Sequence, residues 1–131
     1  MSSEGNESMN LENHEYYYHL ALAEHWPPLP GQQYERSSVD STLQEEGFIH
    51  LSRASQVRHV AEKFYKGRDD VLMLTIDPAL LDSRVEFETS PEHEQPFPHL
   101  FGPLLPRAVI HTDIVHLDED GALQLDQLLP I

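Results

Sequence analysis

A single apolar stripe of helical spacing, Val57, Val60, Ala61 and Phe64 at i, i+3, i+4 and i+7, stands among five short runs that read as strands. The runs are Tyr16–Ala21, Phe48–Leu51, the nearly continuous Val71–Ile76, the alternating Val85–Glu88, and the β-branched Ala108–Leu117. Their order is strand, loop, strand, helix, strand, strand, strand. The regular strand–helix alternation of a doubly wound parallel sheet is missing. A mixed α+β domain with bent, mostly antiparallel sheets and one main helix is expected. Val71–Ile76, stopped by Asp77-Pro78, has the composition of a buried central strand.

Local signals punctuate these elements. Pro27, Pro28, Pro30 and Gly31 force an irregular loop after a short turn at Ala23–Trp26. Ser41–Glu46 suits a brief helix ended by Gly47, and Gly67 is placed to end the main helix. Ser52 has the chemistry of that helix's N-cap. Asp118–Gly121 reads as a turn, and Leu123–Ile131 as a short strand or a loose end. Residues 1–15 hold four glutamates and no Lys or Arg, which suits a disordered acidic tail. Residues 16–131 then form one domain, with no internal repeat.

Composition removes several function classes. The chain has no cysteine, which excludes disulfides, thiolate metal sites and a thiol nucleophile. Eight Lys and Arg against 23 Asp and Glu give a net charge of −15, which opposes general DNA or RNA binding. No apolar run is long enough to span a bilayer and no secretory signal opens the chain, so a cytoplasmic location is expected.

Candidate chemistry gathers at histidines in apolar settings. Gly47-Phe48-Ile49-His50-Leu51-Ser52 and Phe97-Pro98-His99-Leu100-Phe101-Gly102 each carry one, and His19 follows Tyr16-Tyr17-Tyr18. An imidazole placed there must find a partner. His50 and Ser52 alternate onto one face of the strand end. Beside them, Arg53 and a helix N-terminus could hold an anion such as phosphate, although plain capping by Ser52 accounts for the same residues. Pro96, Pro98 and Pro103 make the His99 segment a rigid loop, fit either to hold a flat ring or to close one end of a core. Glu86 and Glu88 share one strand face, where either could assist a nucleophile or a cationic transition state, or simply be solvated. His19, His50, His99 and a carboxylate could hold zinc, but no paired metal-ligand spacing links them. Glu92-His93-Glu94 reads as a solvated polar loop, and His111 and His116 would face opposite ways on one strand. No metal site is expected. No P-loop, Gly-x-Gly-x-x-Gly or Gly-x-Ser-x-Gly motif occurs.

Tyr18-His19-Leu20, Trp26, Tyr34, the Gly47–Ser52 string, Gln56, Glu88 and the Phe97–Gly102 segment together resemble domain of unknown function family 952. The resemblance covers about Tyr16 to Leu117. Phe101 departs from it, since the family often has tyrosine there. The resemblance implies a fold similar to ADP-ribosyltransferases, with two short sheets around a cleft that holds NAD in active relatives. It implies Glu88 as the candidate acid, His19 as the ligand-binding histidine of the first strand, His50 and Ser52 turned into the cleft, and Tyr34 and Phe101 standing in for the usual stacking aromatics. Taken with the local readings above, Glu88 and His50 are the expected catalytic residues, and His19, Tyr34, Ser52, Arg53, His99 and Phe101 the expected ligand-binding set. The function expected is binding of NAD or a related nucleotide, with ADP-ribosyl or glycosyl transfer. A non-catalytic small-molecule or protein-binding module is the alternative, and a His-dependent metal hydrolase a further one.

Overall fold

The apolar run Val71–Ile76 forms the middle strand of a three-stranded sheet, as its buried composition requires. A computed structural model of the chain describes residues 15–90 and 93–115. In chain order the elements are β1 (Tyr17–Leu22), α1 (Leu43–Glu46), β2 (Ile49–His50), α2 (Ala54–Phe64), β3 (Val71–Ile76), β4 (Val85–Ser90), β5 (His93–Leu100) and β6 (Val109–Val115). Short 3₁₀ turns lie at Pro78–Leu80 and Pro106–Ala108. Two antiparallel sheets result, one ordered β1-β3-β6 and the other β2-β5-β4. The architecture is α+β, with one main helix.

β3 is buried on both faces, so its side chains divide the core in two. Val71 and Met73 pack with Val57, Val60 and Ala61 of α2. Leu74 and Ile76 pack with Ile49, Leu51, Leu100 and Leu104. Each of these side chains other than Ala61 stabilises the fold by about 1.5–3 kcal/mol through burial. Phe64, the last residue of the helical stripe, is instead 45% exposed. Gly47 takes φ 89° as the C-cap of α1, where its N–H donates to the Leu43 carbonyl. The second sheet sorts its residues by strand alternation. Ile49 pairs with Leu100 on the core face, and His50 pairs with His99 on the other.

The sheets meet at one backbone bridge. Tyr18 and Ser52 exchange both N–H···O bonds at 2.8 Å. A continuing antiparallel ladder would next pair Leu20 with His50. The His50 carbonyl instead accepts from the His19 ring, and the His50 N–H donates to the Ser37 carbonyl. The ladder therefore stops after one pair, and a hollow opens beside β1.

Several sequence expectations need correction. Ser52 is not the N-cap of α2, because its backbone is committed to Tyr18. Arg53 takes that position, and the Gln56 side chain accepts from its N–H at 2.9 Å. The segment carrying His99 is not a loop but the middle strand β5, which also takes in His93 and Glu94. Two prolines are tolerated there because β2 pairs with only Leu100 and His99. Their carbonyls bond outward: Pro98 accepts from the Leu51 N–H at 3.0 Å. Pro96 accepts from the Gln56 side chain at 2.8 Å. The strand expected over Val85–Glu88 runs on to Ser90. The expected tail before Glu15, residue His116, the turn at Asp118–Gly121 and the Leu123–Ile131 segment lie outside the described residues. Among the described residues no helix is long and apolar enough to cross a membrane.

Candidate functional site

β1 places His19 where the sheets part. Its Nδ1 lies 2.8 Å from the His50 carbonyl oxygen, and its Nε2 lies 2.7 Å from the Tyr34 hydroxyl. A carbonyl only accepts, so Nδ1 carries the proton and Nε2 accepts from the tyrosine. Burial holds the imidazole neutral and lowers its pKa to about 4, against the partial opposing effect of the His50 carbonyl. Burial also pushes the Tyr34 hydroxyl up, which keeps it a donor. Tyr34 is fixed in turn by an edge-on contact with Trp26, ring centres 5.1 Å apart. Both nitrogens of His19 are thus engaged by the protein itself.

A cavity of about 270 Å³ lies between β1, α2 and the second sheet. Phe48, His50 and Ser52 reach it in strand alternation from the β2 segment. Glu88 of β4 joins Phe97 and His99 of β5 on the same sheet face. The Glu88 carboxylate accepts from His99 Nδ1 at 2.7 Å. In a neutral ring the lone pair is then on Nε2, as a general base requires. Phe48 stacks on His99 with centroids 3.8 Å apart and planes 8° off parallel, which holds the imidazole flat. The His50 ring is 5.6 Å from that of His99 and 5.0 Å from that of Phe97. Phe64 and Tyr65 at the end of α2, Ser37–Asp40 and Glu46 complete the wall. Burial drives the Tyr65 hydroxyl up to about 12, and it donates to the Leu20 carbonyl.

Five of the eight residues expected at a site therefore line one cavity: His19, His50, Ser52, Glu88 and His99. The other three do not line it. Tyr34 sits behind His19. Arg53 turns to Glu15 at 2.6 Å, with its guanidinium 5.9 Å from the Phe87 ring. Phe101 lies under the Arg84 guanidinium at 4.3 Å. Among the described residues no group of three His, Cys, Asp or Glu is arranged to hold a metal ion. Phe48 was legible but missed, since it shares the alternation of His50 and Ser52. Phe64 read as core, and nothing local marks Tyr65, Ser37–Asp40 or Glu46 as part of a wall.

Comparison with known proteins sets this geometry in a family. Residues 23–112 match the family model described as protein of unknown function DUF952. The crystal structure of protein CC0527 from Caulobacter crescentus is 31% identical, with a TM-score of 0.71 over 86% of this chain and 96% of that one. The solution NMR structure of CC0527 is 29% identical, with a TM-score of 0.68 over 87% and 96%. None of the curated proteins matches the chain. With a family model spanning most of the domain and a solved relative superposing along nearly its whole length, the chain belongs to the DUF952 family.

Proposed function

We propose that the cavity binds the ring and ribose of a small nucleotide-like ligand, NAD being the candidate, and that it supports transfer of the ribosyl group. The observation that carries this reading is the Glu88–His99 pair, 2.7 Å apart at the wall of an aromatic cavity. Phe48, Phe64 and Phe97 supply aromatic lining suited to a flat ring. The volume suits a ring and a sugar rather than a whole dinucleotide, whose remaining part would lie outside. In the reaction, the bond from the ribose C1′ to the ring nitrogen breaks and its electron pair leaves with the ring. The Glu88 carboxylate stabilises the cation left at C1′. An acceptor hydroxyl or water then bonds to C1′ and gives its proton to His99 Nε2. His50 and Ser52 position the sugar.

The likeness of the family to ADP-ribosyltransferases belongs to this proposal and is a fold analogy. So do a small-molecule partner, the absence of general nucleic-acid binding and a cytoplasmic setting, which the acidic and cysteine-free composition favours. The experiment is titration of NAD into the protein with histidine NMR shifts as readout, followed by an assay for released nicotinamide. Shifts at His50 and His99 with steady release support the proposal. Shifts without release leave a binding module, and no shift at millimolar NAD defeats the ligand assignment.

A further inference from the structure

The charge around the cavity is one-sided. Asp40, Glu46 and Glu88 all line it, and among the described lining residues there is no Lys or Arg. The rest of the wall is apolar, hydroxyl-bearing or imidazole, with the rings of Phe48, Phe64 and Phe97 prominent. Burial raises the Tyr65 hydroxyl, and the charges acting on it are mixed: Arg68 lowers it most, Asp40 raises it and Arg36 lowers it. Arg68 is paired with Asp70 at 2.7 Å, and neither guanidinium lines the cavity. Arg53, the cation nearest in sequence to the β2 wall, is held by Glu15. The chain as a whole carries −15, which is of the same sign as the acids lining the cavity.

A phosphate needs donors, and a cation near aromatic faces needs the reverse: negative charge and π density. Resting on the ring-and-ribose reading above, we infer that the cavity selects a cationic N-riboside and keeps phosphate out, so that a 5′-phosphate weakens binding. The ring charge is attracted by Glu46, Asp40 and Glu88 and faces the phenylalanines. A phosphate on the same sugar brings added negative charge toward the same carboxylates. The preferred ligand is therefore the positively charged N-riboside itself, and NAD, whose pyrophosphate stays outside the cavity, is a weaker ligand of the same site.

The test compares nicotinamide riboside, its 5′-phosphate (nicotinamide mononucleotide) and the uncharged dihydronicotinamide riboside, by calorimetry and histidine NMR on the full chain. At low salt the cationic riboside is expected to bind about tenfold or more tighter than either other compound. The gap to the mononucleotide is expected to narrow in added salt and in an Asp40→Asn, Glu46→Gln variant. Both of those side chains are exposed, so the variant is expected to fold. Equal or tighter binding of the mononucleotide overturns the exclusion of phosphate while leaving the ring-and-ribose site standing. Equal binding of the dihydro compound overturns the role of ring charge. If none of the three perturbs His50 or His99, both this inference and the site reading fall.

Discussion

Glu88 and His99 are hydrogen-bonded at 2.7 Å although neither is the other's register partner. Glu88 pairs with Phe97, and His99 pairs with Glu86. The contact runs diagonally across β4 and β5, within the reach of a long side chain. Glu86 turns to Arg84 at 3.3 Å, which leaves Glu88 as the carboxylate for His99.

Replacing Glu88 by Gln keeps the shape and removes the charge. The side chain is 44% exposed, so stability is expected to change by no more than about 1 kcal/mol. Nicotinamide release is expected to fall about 100-fold or more. Unchanged release with unchanged binding would remove Glu88 from the chemistry.

His19→Phe leaves the Tyr34 hydroxyl and the His50 carbonyl without their partner in the closed junction. A loss of about 2–4 kcal/mol in urea unfolding is expected. Tyr34→Phe is expected to cost less, about 1–2 kcal/mol, because only one bond goes. The double variant should lose clearly less than the sum of the two, since both act on one bonded unit. Strict additivity would mean that the Tyr34–His19 bond carries no energy of its own.

The same imidazole makes stability depend on pH. Its pKa is about 4 in the folded chain, against an ordinary value near 6.5. The unfolded chain takes up the proton first, so stability is full above about pH 6.5 and declines toward pH 4. The loss attributable to His19 is about 3 kcal/mol. Unfolding free energies at pH 7 and pH 4.5 measure it, with His19→Gln as the control that lacks this titration. An equal decline in that variant would assign the whole effect to the carboxylates.

Gly102 is buried, and a methyl group there would collide with the Ser83 side chain. Gly102→Ala is expected to destabilise by about 1–3 kcal/mol through overpacking. Adding Ser83→Gly removes both clashing atoms, so most of the loss should return. If the second change rescues nothing, the close approach is not the reason for glycine at this position.

Much of the scaffold was legible in local pattern. Val57, Val60 and Ala61 announced α2, and the continuous run in β3 announced a strand covered on both faces. Gly47 announced the end of α1. The proline-bearing β5 was not legible. Pro96 and Pro98 lack ladder donors and read as loop, and only the very short β2 beside them makes a strand possible. Ser52 misled for a related reason. Its hydroxyl fits a cap, but a long-range bridge to Tyr18 claims its backbone.

Sequence alone determined the main helix, five of the six strands among the described residues and the residue sets that share a strand face, including His50 with Ser52 and Glu86 with Glu88. Those properties follow from the period of the backbone, which reaches only a few residues. Tertiary structure alone decided that the His50 carbonyl meets a ring 31 residues away, and that Glu88 rather than Glu86 holds His99. Both depend on where one ladder stops and which carboxylate already has an arginine. No local periodicity encodes either.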